Sequence, residues 1–361
     1  MVGMPTKNII FTGGGSGGHV IPAVTLIKAL KEQGEYDIIY VGGSGIEKEI
    51  ISEISIPYFS ILTGKLRRYF SFKNLLDIFK VGIGVVQSLL LLLRFNKKNT
   101  LVFSTGGFVS IPVVLAAKIL GKTIYIHEQT SRVGLANKIA SKLAAKVFIS
   151  FEESKNYFPV GKTFFSGYPL RDECFTPITS SFSVRGVEIK DINRPILFVT
   201  GGGNGSQLIN NLIRENLPEL LRDYFIVHQV GKNFIGEYLK LEQENYHPVP
   251  FIKNNMISYF KAASIVISRA GAGTVSELIA LRKRSIFIPL KIAQKNEQYH
   301  NAQEAQNQLG SEILSEDRLR DLDLPSFLKK FLGSSTREIK GGDEIRAKDK
   351  IISEIDGFFK V

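Results

Sequence analysis

The stretch that decides the fold is Gly13-Gly14-Gly15-Ser16-Gly17-Gly18-His19, which follows the apolar run Asn8-Ile9-Ile10-Phe11-Thr12 and precedes residues 20–30. In residues 20–30 the apolar side chains recur at helical spacing, so the sequence predicts a strand, a glycine loop and a helix. Glycine lets the backbone approach a ligand closely, and the N–H groups at a helix start favour an anion. We therefore expect either a phosphate-containing ligand at this loop or a simple tight turn.

The loop also has the glycine spacing of the dinucleotide-binding fingerprint, at Gly13, Gly15 and Gly18. That fingerprint requires an acidic residue at the end of the second strand. Here the second predicted strand covers residues 37–41, and Asp37 opens it, at the wrong end to bind a ribose. The pattern therefore disfavours a nicotinamide-dependent enzyme.

The composition narrows the class of protein. The chain has 361 residues, which suits two α/β domains, and its formal net charge of +12 indicates a nucleic acid, an anionic membrane or an acidic substrate as partner. With Cys174 as its single cysteine, it has no disulfide framework, which fits a reducing compartment. The glycine loop begins too early for a signal peptide to precede it, so we expect a cytoplasmic location.

Strand and helix patterns alternate along the chain. In the first half, residues 146–150 are predicted to be the last strand. A second half restarts with a strand at residues 195–200 and a second glycine loop at residues 201–206. Repeated βα units predict an α/β fold of two doubly wound parallel sheets, with ligands in the cleft between the two domains. We expect the joint near Gly167 and a surface excursion over residues 176–194.

Several chemically useful residues lie near predicted strand ends. The helix dipole favours a neutral imidazole at His19, which is either a general base or an ordinary residue of a helix start. His127 and Glu128 are either an acid–base pair or a structural pair. Thr274 and Glu277 fit a capping box, and the alternative for the glutamate is to accept hydrogen bonds from ribose hydroxyls.

The segment from Gly64 to Lys98 mixes basic residues with aliphatic and aromatic ones. Its apolar part, residues 81–93, is too short to span a bilayer, but the mixture suits contact with an anionic membrane surface. The alternative is a buried helix at residues 89–93 with a solvated basic face.

Metal binding has little support in the sequence. Asp321-Leu322-Asp323 resembles the metal-binding Asp-x-Asp of one class of sugar-nucleotide enzymes, but its charged surroundings are typical of a helix boundary. No group of residues has the spacing of zinc ligands. We therefore expect no metal site.

A series of stretches, in order along nearly the whole chain, resembles the MurG family of peripheral membrane glycosyltransferases. These enzymes add N-acetylglucosamine to lipid I during peptidoglycan synthesis. The matching stretches are Gly14-Gly15-Ser16-Gly17-Gly18-His19, Thr105-Gly106-Gly107-Phe108, His127-Glu128-Gln129, Gly134-Leu135-Ala136-Asn137-Lys138, Gly167-Tyr168-Pro169-Leu170-Arg171, Gly201-Gly202-Gly203-Asn204-Gly205, Phe251-Ile252, Arg269-Ala270-Gly271-Ala272-Gly273-Thr274-Val275-Ser276-Glu277 and Gln298-x-x-Asn301-Ala302.

The resemblance implies a GT-B fold, with residues 1–166 and 345–361 as the acceptor and membrane domain and residues 167–344 as the UDP-N-acetylglucosamine domain. It implies an inverting transfer of N-acetylglucosamine to the 4-hydroxyl of the muramyl sugar of lipid I, which gives lipid II for cell wall biogenesis. The expected partners are UDP-N-acetylglucosamine, lipid I and an anionic membrane surface at residues 64–98, with no nucleic acid and no cofactor. The implied location is the cytoplasmic face of the bacterial inner membrane.

The same resemblance implies roles for individual residues. His19 is the base on the acceptor hydroxyl, Ile252 contacts the uracil and Glu277 contacts the ribose. The residues implied at the diphosphate and the sugar are Ser16, Gly17, Gly18, Thr130, Arg171, Gly203, Ala272, Gly273, Thr274, Val275, Ser276 and Gln298.

Three positions depart from the family pattern. Thr130 stands where the family usually has asparagine, and Gly203 stands where a serine is common, so that only backbone is offered there. Glu297 stands where histidine or glutamine is frequent, and its carboxylate would be unfavourable near UDP unless it is paired or turned away.

Two other functions remain open from the residues. An enzyme like the UDP-N-acetylglucosamine 2-epimerases shares the fold and the donor site, but it needs no lipid acceptor and leaves the segment at residues 64–98 unused. A basic nucleic-acid-binding protein would leave the glycine loops and Glu277 without a role.

Overall fold

The computed structural model describes residues 6–64, 72–178, 182–184, 186–252, 255–293, 296–334 and 346–360. The chain divides into two compact units, Met1–Leu170 with Asp343–Val361 and Arg171–Gly342. Each unit contains its own parallel sheet and hydrophobic core. Among the described residues, no helix is both long enough and apolar enough to cross a membrane.

The first unit alternates strands and helices. Its strands are β1 (Lys7–Thr12), β2 (Tyr36–Gly42), β3 (Tyr58–Ser60), β4 (Thr100–Ser104), β5 (Thr123–Glu128), β6 (Lys146–Ile149) and β7 (Thr163–Phe165). Its helices up to this point are α1 (Gly17–Gln33), α2 (Ile46–Ser52), α3 (Phe72–Leu92), α4 (Ile111–Ile119) and α5 (Leu135–Leu143). The strand order is β3-β2-β1-β4-β5-β6-β7, with parallel pairing throughout.

The central strand β1 is buried on both faces, as its uninterrupted apolar run predicts. Ile10 packs into the cluster on one face of the sheet, whereas Ile9 and Phe11 pack into the cluster on the other. This alternation follows from the two-residue period of a strand. The helices on both faces hold β1 in place, and with it the glycine loop that follows.

The prediction that residues 146–150 form the last strand of the first half is wrong. β7 pairs in parallel with β6 and forms the edge of the sheet. The chain between them passes through a short 3-10 helix, Glu152–Tyr157, instead of an α-helix. The βα periodicity is therefore absent at this point, and a strand of three residues carries too little pattern to be recognised.

The second unit repeats the same plan after a small hairpin. Its strands are β8 (Ser183–Val184), β9 (Val187–Glu188), β10 (Ile196–Thr200), β11 (Phe225–Gln229), β12 (Tyr246–Val249), β13 (Ile265–Ser268), β14 (Ile286–Phe287) and β15 (Glu312–Ile313). Its helices are α6 (Gln207–Asp223), α7 (Ile235–Tyr238), α8 (Met256–Ala262), α9 (Ala272–Ala280), α10 (Glu297–Leu309) and α11 (Leu324–Gly333). The parallel sheet has the order β12-β11-β10-β13-β14-β15.

The hairpin β8–β9 lies within the predicted surface excursion at residues 176–194, most of whose described residues are exposed. Phe182, just before β8, is buried, and its ring meets that of Tyr259 edge to face at 4.9 Å. Val184 is buried as well. The two apolar side chains, separated by one residue, fix this part of the polar stretch onto the second unit.

In both sheets the strand order reverses at the first strand. β1 lies between β2 and β4, and β10 lies between β11 and β13. Loops that leave two such neighbouring strands diverge, so this point is the usual ligand site of doubly wound sheets. It brings residues 13–16 beside residues 105–107 in the first unit, where Gly14 N donates to Gly106 O at 3.2 Å. In the second unit it brings residues 201–205 beside residues 269–271.

A last helix, α12 (Ala347–Phe359), returns to the first unit. Its buried side chains Ile351, Ile352 and Ile355 pack into the same cluster as Ile9 and Phe11. The first unit is therefore built from two separate parts of the chain.

Candidate active site

In the glycine loop between β1 and α1, some positions have no room for a side chain, whereas Gly17 has room. A Cβ on Gly13 would lie 2.2 Å from Thr105 Oγ1, and Gly15 has φ +84° with its Cβ position 2.5 Å from the Phe108 ring. A Cβ on Gly17 would meet nothing within 4 Å. Because Gly17 is the first residue of α1, the space beside this helix start is open, and His19 N in the same turn donates to Ser16 O at 3.2 Å. The N–H groups of a helix start that lack an intrahelical acceptor suit an anion.

Glu47 fixes this loop, a role that the sequence analysis missed. The side chain is 1% exposed and accepts hydrogen bonds from the backbone N–H groups of Gly15 at 3.2 Å, Gly43 at 3.1 Å and Gly45 at 3.4 Å. It therefore joins the loops that follow β1 and β2. The available signal was the glycine-rich stretch just before Glu47, because such a stretch leaves several N–H groups in need of an acceptor.

His19 is the third residue of α1 and is half-buried. Its Nδ1 lies 3.1 Å from Thr105 O and 3.1 Å from Gln129 Oε1. The loops after β4 and β5 thus hold one nitrogen of the ring, which places the imidazole at the switch point of the sheet. This is the location that a base acting beside the glycine loop needs.

His127 and Glu128 support the structural alternative. Burial lowers the pKa of His127 to about 4, and its Nε2 lies 3.3 Å from Gly167 O. Glu128, the next residue of β5, accepts from Asn137 Nδ2 at 3.1 Å. Adjacent residues of a strand face opposite sides of the sheet, so the two side chains do not form an acid–base pair. Both residues lie within β5, as its last two positions.

Thr130 lies just after β5 and is bonded locally. Its backbone N and its Oγ1 lie 3.0 Å and 2.8 Å from Glu128 Oε1, and the hydroxyl is also 2.8 Å from Arg132 O. A single hydroxyl hydrogen serves these two acceptors. The side chain therefore shapes the turn after β5.

The capping-box prediction at Thr274 is wrong. Helix α9 begins at Ala272, its N-cap is Gly271, and Gly271 O accepts from Val275 N at 3.0 Å. Thr274 is thus the third residue of the helix, and Glu277 lies within it. The sequence pattern failed because the extended backbone of Gly271 allows the helix to start three residues earlier. The first N–H groups of α9 have no acceptor within the helix, and the positive end of the helix dipole lies at the same point.

Glu277 forms a buried ion pair with Arg171. The carboxylate is 5% exposed, and its Oε1 accepts from Arg171 Nε at 3.0 Å and Nη2 at 2.6 Å. Burial raises the pKa of Glu277, and the guanidinium only partly offsets this effect. Two residues implied separately at the donor, more than a hundred positions apart, are therefore direct partners.

The remaining donor-site candidates lie on loops and helices of the second unit. Ile252 is buried, and its N–H donates to Gln229 Oε1 at 2.8 Å. Gln298 in α10 accepts from Leu290 N at 3.0 Å, and α10 is tied to the loop before α9 by Asn301, which donates to Ala270 O at 3.1 Å.

Gly203, after β10, has room for the serine common in the family. A Cβ there would meet only the Phe251 ring, at the ordinary contact distance of 3.7 Å. Glu297 is the first residue of α10, where a carboxylate is favoured by the helix dipole.

Asp321 and Asp323 give no sign of a metal site. Asp323 Oδ1 accepts from Ser326 N at 3.1 Å and caps α11, and this hydrogen bond holds its pKa below the usual value. Within the ranges that the structure describes, no three His, Cys, Asp or Glu side chains are grouped so as to hold a metal ion.

Helix α3 exposes a continuous apolar stripe. The stripe consists of side chains spaced alternately three and four residues apart, which places them on one side of the helix. Each of these side chains is at least 50% exposed, and they are Leu76, Phe79, Ile83, Val86, Leu90 and Leu93. Ser88, Leu91 and Leu92 on the opposite side are buried. The buried-helix alternative therefore holds for one side of α3 only. The basic residues Lys65, Arg67 and Arg68 lie outside the described residues.

Comparisons with known proteins cover both units. Residues 9–149 match the N-terminal domain of glycosyltransferase family 28, and residues 196–355 match its C-terminal domain. The UDP-N-acetylglucosamine–N-acetylmuramyl-(pentapeptide) pyrophosphoryl-undecaprenol N-acetylglucosamine transferase of Lachnospira eligens is 38% identical over 349 residues, 96% of either chain.

Two solved structures show the fold. MurG of Acinetobacter baumannii aligns with a TM-score of 0.65 at 22% identity, over 98% of this chain and 95% of that one. A UDP-N-acetylglucosamine 2-epimerase aligns with a TM-score of 0.64 at 12% identity, over 97% and 95%. At these sequence identities the two alignments establish the fold only, and they confirm the predicted GT-B fold.

Proposed function

Because the chain belongs to glycosyltransferase family 28 and, within it, to the MurG family, we propose that it transfers N-acetylglucosamine from UDP-N-acetylglucosamine to lipid I. The product is lipid II, the precursor for peptidoglycan synthesis. The observation that carries this proposal is the likeness to the L. eligens transferase, which includes the loops of both units. We assign the acceptor to residues 1–166 with 345–361, and the donor to residues 167–344.

The donor assignment is supported by the chemistry around α9. The free N–H groups at residues 272–274 and the positive end of the helix dipole suit a diphosphate, with Gln298 and Gly203 at its edge. Within the described part of the chain, the hydrogen bonds to the Glu277 carboxylate both involve Oε1, so Oε2 is available to a ribose hydroxyl. Arg171 provides positive charge next to that position, and Ile252 provides an apolar contact for the uracil.

The transfer step follows from the requirements of the reaction. The 4-hydroxyl oxygen of the acceptor forms a bond to the anomeric carbon while the bond from that carbon to UDP breaks, and UDP leaves with the electron pair. Attack from the side opposite the leaving group inverts the configuration. His19 takes the hydroxyl proton. The N–H groups at Ser16, Gly17 and Gly18 stabilise negative charge nearby, and Thr130 shapes the adjacent loop.

We further assign membrane contact to the stripe on α3. An exposed apolar stripe of this length is unusual on a protein surface and is typical of an interaction site. Exposed basic residues flank it, namely Lys80, Arg94, Lys97 and Lys98. Apolar side chains enter the interface of a bilayer while the basic ones meet anionic headgroups. This surface would hold the enzyme on the cytoplasmic face of the inner membrane, where its lipid-linked acceptor lies.

The reaction is tested by incubating the protein with labelled UDP-N-acetylglucosamine and a lipid I analogue, with donor-only and acceptor-only controls. We expect labelled lipid product that requires both substrates. In His19→Ala, turnover should fall by about 10² to 10⁴ with little loss of donor binding. Donor converted to UDP and a free epimer, without lipid product, would instead establish the 2-epimerase, whose fold is shared.

The membrane assignment needs its own test. Sedimentation with phosphatidylglycerol vesicles should fall sharply in the double variant Phe79→Ser, Leu90→Ser. The matched control is Leu332→Ser, which changes an exposed leucine of α11 in the second unit. Equal sedimentation of the double variant and the control would remove the stripe on α3 from this role.

A further inference from the structure

Gln129 connects the loop after β5 to the imidazole of His19. The side chain is 2% exposed, and its Nε2 lies 2.8 Å from Thr105 O and 3.1 Å from His127 O. Backbone carbonyl oxygens only accept hydrogen bonds, so the NH₂ group must face them. The reverse orientation would place the amide oxygen against two other oxygens. Oε1 therefore faces His19 Nδ1, at 3.1 Å.

The second neighbour of His19 Nδ1 is also an acceptor. Thr105 O lies 3.1 Å from this nitrogen. Since both neighbours accept, Nδ1 must carry the proton, and in the neutral ring the lone pair is then on Nε2. We propose that Gln129, together with Thr105 O, is a positioning residue that fixes the tautomer of His19, so that Nε2 is the atom that takes the acceptor's proton. This inference rests on the proposed function of His19 as the base.

His127 also contacts the side-chain amide of Gln129. Its Nδ1 lies 3.2 Å from Gln129 Nε2, so His127 Nδ1 and His127 O share one of the two amide hydrogens, while its Nε2 lies 3.3 Å from Gly167 O and 3.2 Å from Ser150 Oγ. The histidine is fully buried and is held as a neutral acceptor, so it keeps the amide in one orientation. The His127-Glu128-Gln129 stretch thus acts on His19 through its third residue. When His19 becomes positive in the transfer step, its Nδ1–H faces two oxygens that stabilise the charge.

The variant Gln129→Met removes one acceptor while preserving the volume of the side chain. Neither carbonyl is left without a donor, because Thr105 O keeps His19 Nδ1 and His127 O keeps Asn137 Nδ2 at 3.1 Å. His127 Nδ1 loses its amide donor, at a cost of about 1–3 kcal/mol, so urea unfolding establishes first that the variant is folded. Thr105 O alone then favours the Nδ1–H tautomer, so we expect this tautomer to predominate less than in the wild type and kcat to fall by up to about ten-fold, with the donor KM unchanged.

The tautomer is measured directly by nitrogen NMR of the imidazoles at alkaline pH, where the rings are neutral. The chain has five histidines, so the spectrum is simple, and His19→Gln identifies the signals of His19. We expect Nδ1 of His19 to be protonated in the wild type and partly deprotonated in Gln129→Met.

The matched control is Asn210→Leu in the second unit. Asn210 is a buried amide 3.1 Å from His228 Nε2, so its loss perturbs a buried imidazole without touching His19. The signals of His228 should move and those of His19 should not.

Three outcomes decide the matter. A wild-type His19 protonated at Nε2 would overturn the inference without any variant. An unchanged tautomer together with an unchanged kcat in Gln129→Met would also overturn it. If the predicted tautomers are found but the wild type transfers no sugar to lipid I, the positioning by Gln129 is supported and the proposed function is what fails.

Discussion

Replacing Glu277 by glutamine tests whether this carboxylate binds the ribose. In Glu277→Gln the amide oxygen should stay with Arg171, because an NH₂ group facing the guanidinium would be repelled, and the NH₂ group then replaces Oε2. A hydrogen bond to a charged group contributes about 1.5–3 kcal/mol. Since about 1.4 kcal/mol is a factor of ten, the affinity for UDP should fall by about 10-fold to 10²-fold.

The stability of the variant should change much less. The amide retains the hydrogen bond to Arg171. Burial raises the pKa of Glu277, which means that burying its carboxylate is unfavourable, and the variant removes this cost. The guanidinium of Arg171 loses its counter-ion but is 29% exposed and can be hydrated, so the free energy of unfolding should change by no more than about 1 kcal/mol. Urea unfolding measures this value independently of ligand binding.

The assay compares UDP with 2′-deoxy-UDP and 3′-deoxy-UDP by calorimetric titration. The wild type should bind at least one deoxy analogue more weakly, and this discrimination should largely disappear in Glu277→Gln. The control Gln298→Met, at the proposed diphosphate and sugar region, should weaken UDP while keeping the discrimination. Retention of the wild-type ratio in Glu277→Gln would refute the ribose contact and leave Glu277 as the structural partner of Arg171.

Three further predictions follow from buried groups and from the glycine loop. Glu47→Gln sets an NH₂ group against the backbone N–H of Gly15 or its neighbours, so the free energy of unfolding should fall by about 1–3 kcal/mol in urea titrations and transfer should slow; an unaltered midpoint would contradict this. The pKa values of His127 and His228 are lowered from 6.5 to about 4 and about 3 by burial. As the pH falls below 6.5 the unfolded chain binds protons that the folded chain does not, so each histidine should lower the free energy of unfolding by up to about 1.4 kcal/mol per pH unit. Urea unfolding between pH 7 and pH 4 checks this, and a slope that persists in full in His228→Gln would count against it. Gly15→Ala should lower the thermal midpoint because of its positive φ and tight packing, whereas Gly17→Ala should keep the midpoint and impair transfer; normal transfer by Gly17→Ala would exclude this helix start as a ligand site.

Much of the fold was accessible from the sequence because its signals are local. Buried parallel strands are short apolar runs, and helices between them have a different period, so the order of β and α elements could be predicted. The two glycine loops marked the first strand of each sheet, and the rules of doubly wound sheets gave the ligand edge. β7 was missed because an edge strand of three residues has no such pattern, and α9 was started too late because the conformation of Gly271 is not encoded in a motif.

The site was predictable only in its local parts. The loop and His19 are neighbours in sequence, so their proximity needed no knowledge of the fold. Gln129 lies 110 residues from His19, and Arg171 lies 106 residues from Glu277, so these contacts depend on which strands are adjacent. Only the order of strands in each sheet brings the loops after β1, β4 and β5 together. The atoms that set the ring of His19 therefore became visible only in the structure.

The return of α12 to the first unit has a consequence for synthesis on the ribosome. The chain emerges in order, so the strands of the first sheet are complete long before α12, which packs into the same cluster as Ile9 and Phe11, exists. During that interval the whole of the second unit is made and can fold, while the nascent first unit exposes an apolar face. The hydrogen bond from Tyr36 to Asp356 and the ion pair between Lys146 and Glu354 also form only after α12 has been made. Completion of the first unit is thereby coupled to synthesis of the whole second unit, and a product that stops before α12 would leave the apolar side chains that pack against Ile351, Ile352 and Ile355 exposed to chaperones and proteases.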